Sequence, residues 1–139
     1  MSVTTSLKAA ATVATASLFA FGLSAQTATA AVPPTTWNAT GTVADVVGAH
    51  AWGTFATGPA ADTYVVDANI KDTKADGHGA RVNIRAASSN GSVVLVSVSA
   101  SGEGVTAEES FTLKAPITVQ ECLTEKGADY VCGEPYRIA

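Results

Sequence analysis

Ala80-Arg81-Val82-Asn83-Ile84-Arg85-Ala86-Ala87-Ser88-Ser89-Asn90-Gly91-Ser92-Val93-Val94-Leu95-Val96-Ser97-Val98-Ser99-Ala100 carries two apolar-rich runs on either side of a turn signal. Ala80, Val82, Ile84 and Ala86 alternate with Arg81, Asn83 and Arg85. A period of two puts one set on a buried face and the other in water, as in a half-buried strand. Asn90-Gly91 suits the type I′ turn, whose twist matches that of paired strands, and predicts a hairpin. In its second arm Val94, Val96 and Val98 stand opposite Val93 and Leu95, so part of it is apolar on both faces. Such a strand is expected in the middle of a sheet or at a contact between sheets.

Working outward, residues 64–70 repeat the pattern, with Val66, Ala68 and Ile70 on one face and Val65, Asp67 and Asn69 on the other. The polar loop 72–79, with Gly77 and Gly79 free to take positive φ, joins this strand to the next. Downstream, Phe111 and Leu113 face inward from a strand over 110–115, and Pro116 marks an edge or a corner. Ile117 and Val119 share a face, but Cys122 has the opposite parity. Either a bulge intervenes or the bridge sits on the outer side. A last hairpin is expected around Glu125-Lys126-Gly127-Ala128-Asp129. Upstream the pattern is weaker: residues 32–36 read as an extended lead-in, and strands are expected near 40–47 and 49–56. After residue 30 no segment carries a helical apolar stripe. The expected fold is all-β, an antiparallel β-sandwich or small barrel of about 6 to 8 short strands with one disulfide.

Lys8, the uncharged stretch 9–23 and the small residues ending in Ala28-Thr29-Ala30 have the three-part layout of a secretion signal. The apolar run is shorter than the ~20 residues that span a bilayer. Residues 1–30 are therefore read as a cleaved signal peptide and 31–139 as one secreted, extracellular domain without stable membrane insertion. Cleavage removes Lys8 and no acid, so the formal charge of -4 becomes more negative. An acidic domain does not neutralise phosphates, which excludes nucleic acid as the expected partner. Cys122 and Cys132 are the two cysteines. In an oxidising compartment they are expected to pair. Nine residues separate them, which fits neither a Cys-x-x-Cys redox motif nor a zinc knuckle.

Residues 72–85, with the terminal Val119-Gln120-Glu121-Cys122 and Val131-Cys132-Gly133, resemble small secreted proteins of Streptomyces and related actinobacteria. The specific parts are the Asp-Gly-His turn at Asp76-Gly77-His78 and the cysteine pair. The resemblance implies an extracellular compartment and a β-fold, and no activity.

No catalytic residues are assigned. His50 and His78 are the only histidines, and neither lies near a nucleophile-elbow pattern. Asp67, Asp72 and Asp76 carry hard oxygen ligands that calcium accepts, but Lys74 stands where a ligand should and no Glu closes the loop. The favoured reading is that Asp72 and Asp76 bond their own backbone; no metal or cofactor is expected. Asn38-Ala39-Thr40 and Asn90-Gly91-Ser92 match the glycosylation pattern, which is silent in a bacterial protein. Trp52 follows His50 by two residues, so on a strand both share a face. If Phe55 faces the core they form an outward platform for a sugar ring or a partner's side chain; with the strand flipped, Trp52 plugs the core. The leading expectation is a non-catalytic module binding an unidentified extracellular ligand or protein. The alternatives are a protease inhibitor presenting the loop closed by Cys122 and Cys132, with Glu125 and Lys126 at its tip, and a small hydrolase.

Overall fold

The computed structural model describes residues 32–139. The export signal expected over residues 1–30 lies outside the described residues. Eight antiparallel strands form a single sheet: β1 (Thr35–Asn38), β2 (Ala49–Thr57), β3 (Thr63–Asp72), β4 (Gly79–Ala87), β5 (Val93–Ser101), β6 (Thr106–Glu125), β7 (Ala128–Cys132) and β8 (Tyr136–Arg137). No described residue is helical. The order is β1-β2-β3-β6-β4-β5, with β7 and β8 also on β6, and the sheet does not close into a barrel.

β6 organises this arrangement. Its first half pairs with β3, from Lys71↔Thr106 to Thr63↔Lys114. Its second half pairs with β4, from Ala86↔Ile117 to Gly79↔Thr124. Between the halves stands Pro116, which has no N–H to give to a ladder, after a cis Ala115–Pro116 peptide. The register against β4 shifts here. Pro116 thus marks a corner, and the two stretches expected as separate strands are one. β1, β2, β3 and the first half of β6 form one layer, which folds over so that β3 faces β4 and β5.

The core between the layers is aliphatic and rich in alanine: Ala51, Val66, Ala68, Ile70 and Leu113 meet Ala80, Val82, Ile84, Val98, Ala100, Ile117 and Val119. These are the inward sets that the period of two predicts in β3 and β4. Trp37, 6% exposed, is the one large aromatic buried in this cluster.

Three local expectations are corrected. β5 is an edge strand rather than a central one, because the second half of β6 takes the other side of β4; of the two places expected for it, it takes the contact between layers, with Val98 and Ala100 buried in the core, while Val93 and Leu95 are 69% and 58% exposed. At Asn90-Gly91 only Gly91 has positive φ. The Asn90 carboxamide oxygen accepts from the Ser92 amide and hydroxyl, which holds a loop over 88–92 instead of a two-residue type I′ turn. The two-residue turn with both central residues at positive φ occurs at Lys126-Gly127, between the paired Glu125 and Ala128. Finally, residues 40–47 are not a strand, and pairing begins earlier, at Thr35. The Asp45 carboxylate accepts from the Gly41 amide, and the Thr42 hydroxyl donates to the Ala39 carbonyl, so side chains satisfy this backbone in place of a ladder.

Cys122 and Cys132 are directly opposed on β6 and β7 and form the disulfide. Cys122 stands beside Arg81, on the outer face of the second layer, which resolves the parity question in favour of an outer bridge. Arg81 donates to the Asp129 carboxylate and the Gly127 carbonyl, and Asn83 donates to the other Asp129 oxygen, so the hairpin is tied to β4 as well.

Candidate binding groove

Along β2, Ala49, Ala51 and Gly53 are buried, while His50, Trp52 and Thr54 alternate to the opposite, partly exposed face. Phe55 packs against the core with Tyr64. Of the two orientations considered for this strand, the one that turns Trp52 away from the core is realised. Trp37 is the core tryptophan, and it lies over Gly53. A Cβ added at Gly53 would fall within 2.9 Å of the Trp37 indole nitrogen and would collide with the Asp67 carbonyl. The glycine therefore lets indole and strand approach closely.

The register then gathers residues that are far apart in sequence. Cross-strand partners share a face. Asn38, Trp52, Asn69 and Glu108 accordingly form one row across β1, β2, β3 and β6, and Thr36, Thr54, Asp67 and Ser110 the next. Together they line an open groove of about 1000 Å³. His50 and Trp52 stack at its end with ring centroids 4.6 Å apart and planes tilted by 31°. The Thr54 hydroxyl donates to the Asp67 carboxylate at 3.1 Å, and the Asn69 amide donates to the Trp52 carbonyl at 3.3 Å. An aromatic face beside amides, hydroxyls and carboxylates can stack on an apolar ring face and bond polar groups at the ring's rim.

The chain matches no known protein family, curated protein or solved structure.

The three aspartates weighed for calcium do not converge. Asp67 belongs to the groove. Asp72, at the far end of β3 and 2% exposed, accepts from the Lys74 and Gly102 amides. Asp76 accepts from the His78 amide. Asp72 and Asp76 thus bond nearby backbone, as favoured. His78 lies elsewhere, stacked on Tyr130 with centroids 4.9 Å apart.

Sequence reasoning picks out His50 and Trp52 but misses Asn38, Asn69, Glu108 and Ser110, which become neighbours only through the β1-β2-β3-β6 register. The polar parity of β3 is the one signal that could have flagged Asn69 and Asp67. Glu121 is missed as well. It has the inward parity of Ile117 and Val119, is fully buried, and its carboxylate accepts from the amides of Val46 at 2.8 Å and Ala51 at 2.6 Å. Burial pushes this carboxyl above the usual carboxylate range. The two amides oppose that rise, and Asp45 adds to it. The clamp holds the start of β2, and with it His50 and Trp52, against β6.

Proposed function

We propose that this chain is an exported, non-catalytic β-domain that binds a glycan chain in the groove across β1, β2, β3 and β6. The observation that carries the reading is the His50–Trp52 stack at the end of a groove otherwise lined by hydroxyl, amide and carboxylate groups. A pyranose presents an apolar C–H face and a rim of hydroxyls, which is the complement of that surface, and a preformed aromatic binds at small entropic cost. The disulfide supports an oxidising, extracellular setting. Against hydrolysis stands the layout of the groove: Ser110 and His50 are two strands apart, about 10 Å at the usual strand spacing, and are not in the same row. The inhibitor reading has less support, because the hairpin tip is a two-residue turn gripped by Arg81 rather than a projecting loop.

The test is a pull-down of the secreted protein on insoluble polysaccharides, with Trp52→Ala as comparison. Retention of the wild type with loss in the variant is expected. Absence of retention on every polysaccharide, or equal retention of both proteins, overturns the reading, and release of reducing ends overturns its non-catalytic part. Intact mass of the exported protein should begin at Ala31; a retained N-terminus refutes the export signal.

A further inference from the structure

We infer that the groove selects glycans bearing free amino groups over neutral or anionic ones; this rests on the glycan reading above and names its substrate class. Asp67, Glu108 and Glu109 line the groove, and no lysine or arginine does. Two lysines stand in the paired rows of this face, at its two ends: Lys71 lies across from His50 and pairs on its other side with Thr106, and Lys114 pairs with Thr63. Asp67 keeps a single side-chain partner, the Thr54 hydroxyl, and its other carboxylate oxygen faces no donor among the described residues. Among the described residues none of these acids is in a salt bridge; the one salt bridge is Arg81–Asp129, on the other layer. A chain docked on Trp52 runs beside Asp67 and Glu108, which stand on adjacent strands in adjacent rows. Protonated amines spaced along a sugar polymer complement that line of charge, whereas uronates and phosphorylated sugars are repelled by it.

Each exposed ammonium–carboxylate contact is worth about a two- to fivefold change in affinity. Two or three of them make a difference of about tenfold at low salt. The contrast should shrink as salt shortens the Debye length from about 10 Å at 0.1 M towards 3 Å at 1 M.

The experiment measures binding of the secreted protein to three oligosaccharides of equal length: a β-linked glucosamine oligomer, its fully N-acetylated counterpart and a galacturonate oligomer. It is run at mildly acidic pH, in low and in high salt. The expected result is about tenfold tighter binding of the glucosamine oligomer than of the acetylated one, no binding of the galacturonate, and a difference that collapses in high salt. The Asp67→Asn/Glu108→Gln double variant should lower the preference at least about fivefold, while Glu125→Gln, on the disulfide hairpin, leaves it unchanged. Equal or stronger binding of the acetylated or anionic oligomer overturns this inference and leaves the glycan reading standing, as does a double variant with wild-type preference. Binding of none of the three, combined with failure on all polysaccharides in the pull-down, overturns both.

Discussion

Replacing Glu121 by glutamine tests whether the buried carboxylate clamp holds the groove-bearing strand. In the wild type both carboxylate oxygens are used, one by the Val46 amide and one by the Ala51 amide. Glutamine keeps the shape but presents one NH2 group to an amide N–H, so one buried donor loses its acceptor. Such a loss costs about 1 to 3 kcal/mol, partly offset because a buried charge disappears. At roughly 4 °C per kcal/mol for a domain of this size, the melting temperature at neutral pH should fall by about 4 to 12 °C. Glu121→Ala strands both amides and leaves a cavity, and should cost more. The pH dependence carries a sign. The folded carboxyl titrates above its ordinary value of 4.5, so the folded state holds a proton that the unfolded state has released. Its contribution to stability is fully present below that value and is lost as pH rises through the folded value. The wild type should therefore gain stability relative to Glu121→Gln as pH is lowered from neutral into this window, read as the difference between their urea midpoints at each pH. A variant as stable as wild type at neutral pH would refute the clamp, and a difference that shrinks as pH falls would refute the raised titration of Glu121.

Two further outcomes follow from the fold. Trp37→Ala should cost ~3 to 5 kcal/mol because it empties the core, while Trp52→Ala, on the partly exposed groove face, should cost about 1 kcal/mol or less; guanidinium unfolding of both variants checks this, and equal losses would contradict the assignment of the two faces. The Cys122→Ser/Cys132→Ser double variant should lose about 2 to 3 kcal/mol while keeping β-type circular dichroism, since Arg81 and Asn83 still hold the hairpin through Asp129; a variant that does not fold would make the bridge the framework of the domain rather than a staple.

The features legible in the amino-acid order are local and periodic. The alternation in residues 64–70 and 80–86 identifies β3 and β4 and their buried faces, because the side-chain period of a strand is set by its backbone and needs no knowledge of its neighbours. The cysteine count yields the bridge for a similar reason. Pro116 signals a corner through its missing N–H. The tertiary structure decided everything that depends on pairing. An apolar strand reads the same at the centre or at the edge of a sheet, so the edge position of β5 follows only from β6 occupying the other side of β4. Asn-Gly permits a type I′ turn, but the Asn90 side chain found closer partners, and the two-residue turn formed at Lys126-Gly127 instead. In the weakly patterned segment 40–47, Asp45 and Thr42 bond the backbone locally in place of a ladder, and a carboxylate 75 residues away accepts the Val46 amide, a long-range bond that no window of sequence contains. The groove belongs to this second class. His50 and Trp52 are two residues apart and could be paired by parity alone, whereas Asn38, Asn69, Asp67 and Glu108 share its surface only because strand register, settled by which hydrophobic faces can be buried together, aligns four strands side by side.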